Sequence, residues 1–181
     1  MKTSVNPVNA GSMADIAFLL LIFFLVSTTI QNDVGINQKL PARCEGDCTG
    51  NIKENNILEI SLNKMNQVMV KGKIIPFQEL KEALITFVDN NKDKSCTYCN
   101  GKSIKTLSDH PTKAVISLKT DRETSYKTFV TVQNILAGGY NELRNTYALK
   151  IYDKGLEDLN EKELKEVQKA YPKVISEAEV N

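Results

Sequence analysis

Apolar side chains are spread unevenly along this chain. Ile16 to Val26 reads IAFLLLIFFLV, eleven apolar residues without interruption, and Ser27, Thr28, Thr29 and Ile30 follow. Taken from Ala10 to Ile30, the segment has 21 residues, about 32 Å of helix at ~1.5 Å per residue. That length matches a bilayer hydrocarbon core of ~30 Å. The three hydroxyl residues bond back to helix carbonyls and so do not forbid a span. A cleaved signal peptide and a buried core helix compete with a membrane anchor. The first is disfavoured because the preceding segment carries only Lys2 and an acid stands directly before the run, and because VSTTIQ is not a small-residue cleavage site. The second is disfavoured because the run is apolar on every face. The pattern therefore predicts a transmembrane helix over residues 10–30, after a short N-terminal stretch at 1–9.

The rest of the chain alternates between polar stretches and short periodic ones. Residues 31–56 have few apolar positions and contain Pro41, Gly46 and Gly50, the mark of an extended linker that could reach up to ~90 Å. Leu58, Ile60 and Leu62 alternate with polar residues as in a half-buried strand. Lys64-Met65-Asn66 reads as a turn and Val68–Val70 as a second strand, together a hairpin. Pro76 suits a first helical turn. Phe77, Leu80, Leu84, Phe87 and Val88 then recur at helical spacing up to Asn90. Residues 91–112 are polar and Lys-rich, an inserted loop, and Ala114–Leu118 reads as a buried strand. Tyr126, Phe129, Val130, Gln133, Leu136 and Tyr140 line one face of a second helix, which Gly138-Gly139 loosens or ends. Tyr147, Leu149 and Ile151 alternate as a last strand. The order ββαβαβ predicts a small two-layer α/β domain over residues 57–152, its aromatic stripes belonging to the core. Residues 153–181 form a helical extension: Asn160 and Glu163 make a capping box, Leu164, Val167 and Tyr171 give one narrow apolar face, and Pro172 stops the helix. A solvated helix is the expectation, with folding back on the domain or contact with a partner as the alternatives.

Composition changes this picture little. The 181 residues are 41% hydrophobic and 25% charged, with mean hydropathy −0.27 and net charge +1. These averages exclude disorder, a collagen-like chain and a polytopic membrane protein, and no basic excess points to nucleic acid. The near-zero charge conceals a net +4 over residues 31–150 and −3 over residues 151–181. Flanking charges leave the orientation of the membrane helix open.

One residue gives the apolar segment chemistry. Asp15 stands at its edge and shares a helical stripe with Gly11, Ser12, Phe18, Leu19, Ile22 and Thr29. Ionised acids inside a bilayer cost about 2.5–3.5 kcal/mol at the centre and tend to mark proton or ion pathways. An acid taken out of water exchanges charge for a proton. Alternatively, Asp15 lies at headgroup level and favours the helix start through the dipole. A lone helix cannot enclose a proton path, so the first reading requires partner helices.

The residues from Met13 to Val26, an Asp followed by an aliphatic–Phe–Leu–Leu–Ile–Phe–Phe run and then hydroxyl residues, resemble the membrane helix of the ExbD/TolR family. Gly35 to Pro41, ending in Leu-Pro, is similar to the extended segment that follows it. Ile57–Ile60, Val70–Gly72, Glu79-Leu80, Val115–Asp121 and Tyr126 are similar to the strands and helices of the family's periplasmic domain. Gly11 and Ser12 stand where many members have Thr-Pro, and the cysteine stretches and the extension after Asp153 depart from the pattern. The resemblance implies a stator-type subunit driven by the proton-motive force, with protons as the coupling ion and no cofactor. It implies Asp15 as the protonatable group and a bacterial inner-membrane location, N-terminus in the cytoplasm and folded domain in the periplasm. It also implies three partners: a ring of ExbB/TolQ-like multi-helix protein, a second copy of the chain, and a TonB- or TolA-like protein. Ser12, Phe18, Leu19 and Ile22 are then the partner face of the helix, and Ile36, Leu40 and Pro41 a docking segment. An envelope-maintenance or tethered binding module, with the helix mainly an anchor, is the alternative.

Cys44, Cys48, Cys96 and Cys99 form two local pairs in polar segments. Three readings stand: two local bridges, cross-bridges between linker and loop, or a four-thiolate zinc site. A periplasmic setting favours disulfides. No enzyme is expected. His110 is the only histidine and reads as a solvated loop residue, and no Walker A, G-x-S-x-G or H-E-x-x-H pattern occurs.

Overall fold

The structure, a computed structural model, describes residues 10–27 and 52–180, with side chains as far as residue 177. The described residues fall in two compact units. The first holds one helix, α1 (Ala10–Ser27). The second is an α/β domain with strands β1 (Ile57–Leu62), β2 (Val68–Val70), β3 (Lys73–Ile75), β4 (Val115–Asp121) and β5 (Ile175–Val180), and helices α2 (Phe77–Val88), α3 (Tyr126–Tyr152) and α4 (Glu161–Ala170).

The domain is one five-stranded sheet, ordered β3-β2-β1-β4-β5, with its helices packed on one face. The alternation read from the sequence decides which face. Leu58, Ile60 and Leu62 of β1 and Ile116 and Leu118 of β4 are buried, and the register pairs Leu58 with Ile116 and Ile60 with Leu118. The intervening Glu59 and Lys119 stand on the other face, where they form an ion pair at 2.5 Å. β1, β2 and β3 run as an antiparallel meander, while β1, β4 and β5 are parallel. The expected hairpin is present, and a second, β2–β3, follows it. Lys71 and Gly72 have φ of 48° and 78°, the two positive angles of a tight two-residue turn whose twist matches the strands. Three short residues at Lys73–Ile75 carry too little alternation to be read as a strand from sequence.

α2 covers the sheet with Leu80, Leu84, Phe87 and Val88. It begins after Pro76, which caps it, and ends at Val88, two residues earlier than the spacing implied. α3 differs more from expectation. It runs through Gly138-Gly139 without a break and keeps going to Tyr152. Gly139 is needed for packing: a Cβ there would meet Leu84 Cδ2 of α2 at 2.7 Å. The stretch containing Tyr147, Leu149 and Ile151 is therefore the end of a helix, not a strand. Burial at Val132, Leu136, Tyr140 and Leu143 follows the three- and four-residue steps of a helix, whereas Leu149 and Ile151 are half exposed. Asp153 closes α3 in the left-handed region.

The last strand comes instead from the C-terminal segment. The capping box at Asn160 and Glu163 forms as expected, but α4 is not a solvated appendage. Val167, Ala170, Tyr171 and Ile175 are buried, and β5 pairs in parallel with β4, Ile175 opposite Ile116. Residues 153–180 thus complete the sheet.

The inserted loop between α2 and β4 holds no strand and only a short helical turn at Pro111–Lys113, yet it is firmly tied. Buried Asn90 donates to the carbonyls of Ile104 and Ser108 at 2.8 and 3.0 Å and accepts from the Ile104 N–H at 2.7 Å. Asp109, also buried, accepts from Asn56 and is flanked by the ammonium groups of Lys53 and Lys92 at 3.4 Å. Burial pushes the Asp109 carboxyl up, but the bonds from Asn56, Lys92 and Lys53 outweigh it and hold the group below the ordinary carboxylate value. Gly101 lies so close to the end of α2 that a Cβ would stand 2.1 Å from the Asp89 carbonyl.

Thermal or urea unfolding of the full chain in detergent reads the effect of three substitutions. Gly138→Ala, with open space around the new methyl, should stabilise by about 0.5–1 kcal/mol, while Gly101→Ala should cost about 1–3 kcal/mol. Asp109 is more acidic folded than unfolded, so its contribution is complete above ~3.9 and is lost as pH falls through its depressed value. Asp109→Asn should therefore cost about 1–2 kcal/mol at neutral pH and flatten the acid limb of the stability curve.

Candidate functional site

The 18 residues of α1 have a mean hydropathy of 2.1, and none of its side chains is buried. At ~1.5 Å per residue they extend about 27 Å. Apolar side chains surround the helix on all sides, which in water would be an unprotected surface and in lipid is a matched one. Among the described residues it is the only helix long and apolar enough to cross a membrane. Asp15 is the one ionisable residue in it. At ~100° per residue, Gly11, Ser12, Phe18, Leu19 and Ile22 lie within about 60° of Asp15 around the axis. The stripe is thus small and polar on the N-terminal side of the acid and bulky on the other. Five helical residues, Ala10–Ala14, precede Asp15 in the described part of α1, so the acid sits beyond the reach within which the helix dipole stabilises a carboxylate. Ser27 donates to the Phe24 carbonyl at 3.3 Å, the expected return bond of a hydroxyl residue in an apolar helix. Thr28, Thr29 and Ile30, the expected docking residues Ile36, Leu40 and Pro41, and Cys44 and Cys48 lie outside the described residues.

The other candidate residues are in the inserted loop. Cys96 and Cys99 are bonded to each other, with Cα atoms 5.6 Å apart. Of the three cysteine readings, this leaves local bridging for that pair and removes both cross-bridging and a four-thiolate site that needs the same sulfurs. Tyr98, inside the four-residue ring, packs edge-on against Tyr147 of α3 at 5.0 Å and Tyr171 at 5.4 Å. Its hydroxyl donates to the Ala170 carbonyl at 2.9 Å. Tyr171 in turn donates to Asp89 Oδ1 at 2.5 Å, and Asp89 Oδ2 accepts from the Asn100 N–H at 2.9 Å. Arg144 donates twice to the Tyr171 carbonyl, at 3.0 and 2.9 Å. Burial, with Tyr147 and Asp89 nearby, pushes the Tyr98 phenol up to about 12, and burial together with Asp89 pushes Tyr171 up further. Both phenols are therefore permanent donors at physiological pH.

His110 is not the solvated loop residue expected. It is half-buried, caps the turn at Pro111–Lys113 by accepting from the Thr112 N–H at 3.2 Å, and stands edge-on to Tyr98. Burial lowers its pKa, against the pull of Asp93. Sequence reasoning also missed an open cleft of about 480 Å³ beside the C-terminal end of β4, bordered by Arg122, Tyr126, Phe129 and Glu177. Tyr126, expected in the core, is 79% exposed there and stacks on Phe129. Its period matched the buried face, but it is the first residue of α3 and borders the cleft instead.

Residues 1–144 match the family described as biopolymer transport protein ExbD/TolR. No curated protein matches the chain. The family match takes in α1, the meander, α2, β4 and most of α3, and it stops before α4 and β5. ExbD/TolR proteins are transport accessories, not enzymes, and they work with membrane partners in transport complexes. With its membrane-type helix, its following α/β domain and a match over most of its length, the chain belongs to the ExbD/TolR family.

Proposed function

We propose that the chain is the stator-type subunit of a proton-driven complex of the bacterial inner membrane, and that Asp15 is its proton-binding group. The observation that carries this reading is the isolation of Asp15: a single carboxyl on an 18-residue apolar helix, beyond its first turn, with no side chain of that helix buried. Such an acid needs either a proton or a partner helix that hydrates or pairs it. An ExbB/TolQ-like ring around two copies of α1 supplies that surrounding. Ser12 and Gly11 permit close approach on one side of the acid, and Phe18, Leu19 and Ile22 pack on the other. One charge moving through 100 mV gains ~2.3 kcal/mol, enough to bias a step between two discrete helix arrangements.

In this reading the N-terminus is cytoplasmic and the α/β domain periplasmic. Residues 31–56, with Ile36, Leu40 and Pro41 as docking points, carry the motion outward to a TonB- or TolA-like protein. Deprotonation of Asp15 changes which surface of the surrounding ring the helix prefers. The role of the domain is to hold and release a partner.

The test is energised outer-membrane uptake, or envelope integrity if the partner is TolA-like, in cells where this chain is the only copy. Asp15→Asn should reduce the output by roughly tenfold or more, since it withdraws the ~2.3 kcal/mol per 100 mV that a titrating charge supplies. Asp15→Glu should retain part of it. Full output from Asp15→Asn at normal abundance would contradict proton binding and leave α1 as an anchor for a tethered module.

A further inference from the structure

The strongest unassigned chemistry in the α/β domain is the Cys96–Cys99 ring and what it holds. Tyr98 is fixed inside that ring, and two of its contacts reach the segment after α3: its hydroxyl on the Ala170 carbonyl at 2.9 Å and its ring on Tyr171 at 5.4 Å; its own carbonyl accepts from the Lys150 ammonium of α3 at 3.2 Å. Tyr171 stands four residues before β5, an edge strand with β4 as its one neighbour in the sheet. The same ring therefore clamps the chain just where β5 enters the sheet.

The two sulfurs are not equivalent. Cys96 is buried at 6% exposure, whereas Cys99 is half-buried. The Cys99 backbone N–H donates to Cys96 Sγ at 3.1 Å. A thiolate left on Cys96 would already have a backbone donor, which favours it as the leaving group.

We propose that Cys96–Cys99 is an exchangeable disulfide whose reduction by a dithiol loosens the docking of residues 170–180. A thiolate of the dithiol attacks Cys99 Sγ, the S–S bond breaks, and its electron pair stays on Cys96 Sγ. The second thiol of the reductant then attacks the mixed disulfide and frees Cys99. Two electrons and two protons pass from the dithiol to the cysteine pair, and the dithiol leaves as its own disulfide. With the ring open, Tyr98 is no longer held against Ala170 and Tyr171, and the segment keeps only its other fastenings: Arg144 on the Tyr171 carbonyl, Tyr171 on Asp89, Gln133 on Glu177 and the pairing of β5 with β4. No residue of α1 takes part, so the device stands apart from proton binding at Asp15.

Hydrogen exchange read by mass spectrometry on the full chain in detergent tests this, with dithiothreitol as the probe. Reduction should accelerate exchange in residues 171–180 by roughly tenfold, the scale of releasing a short covalent ring, while peptides covering β1 stay unchanged. The Cys96→Ser/Cys99→Ser variant should exchange at the fast rate before any reductant is added. Tyr98→Ala should exchange fast with the disulfide intact. The proposal is overturned if residues 171–180 do not respond, or if β1 accelerates equally. It is also overturned if dithiothreitol still loosens the segment in the double-serine variant, which would assign the response to Cys44 and Cys48.

Discussion

A carboxyl group on an otherwise apolar helix has to be neutralised or covered, and that requirement organises everything proposed for this chain. α1 by itself does neither for Asp15: the helix is apolar on every side and none of its own side chains shields the acid. In lipid the ionised form is expensive, and the expense falls when a proton binds or when other helices bring polar groups or water. One residue therefore makes the helix a component of an assembly and not only an anchor. The small residues Gly11 and Ser12 on one side of the acid and the bulky ones on the other give a partner two different surfaces to select between.

The α/β domain meets a different constraint. Its sheet has helices on one face, so its core is a single layer between β1, β4 and the helices α2 and α3. α3, at 27 residues, is about 40 Å long by helix geometry. It passes α2 at Gly139, and the chain returns through α4 to place β5 beside β4. Besides the buried Val167, Ala170 and Ile175 and the pairing with β4, the return path is fastened by polar contacts: Arg144 on the Tyr171 carbonyl, Tyr171 on Asp89 and Tyr98 on Ala170. The inserted loop, which looks like spare polar sequence, supplies one side of that fastening. Family membership accounts for residues 1–144, yet the sheet is complete only with residues beyond them.

Much of this was legible in the sequence where one period dominated. The eleven-residue apolar run, the alternation at Leu58, Ile60 and Leu62 and the capping box at Asn160 and Glu163 each have one local interpretation. Errors arose where two periods fitted the same residues. Tyr147, Leu149 and Ile151 alternate, but the helical spacing from Leu136 through Tyr140 and Leu143 was stronger and carried α3 through two glycines. β5 was invisible because ISEAEV, read alone, is a polar segment; its strand character comes from pairing with β4, a tertiary contact. The Cys96–Cys99 bridge was among the alternatives, but nothing in the spacing indicated that Tyr98 would sit at the junction of α3, α4 and β5. For Asp15 the sequence supplied both the residue and its isolation, and the helical residues Ala10–Ala14 before it add that the acid lies past the first turn.

The central claim is that Asp15 changes its protonation state within the assembled complex. Infrared difference spectroscopy of that complex in bilayers, with carbon-13 label in aspartate, measures it most directly. The account predicts a protonated-carboxyl stretch that appears and disappears with pH or an imposed proton gradient and is missing in Asp15→Asn. A carboxylate signal from Asp15 that stays ionised throughout, or a titrating band that persists unchanged in Asp15→Asn, would contradict it.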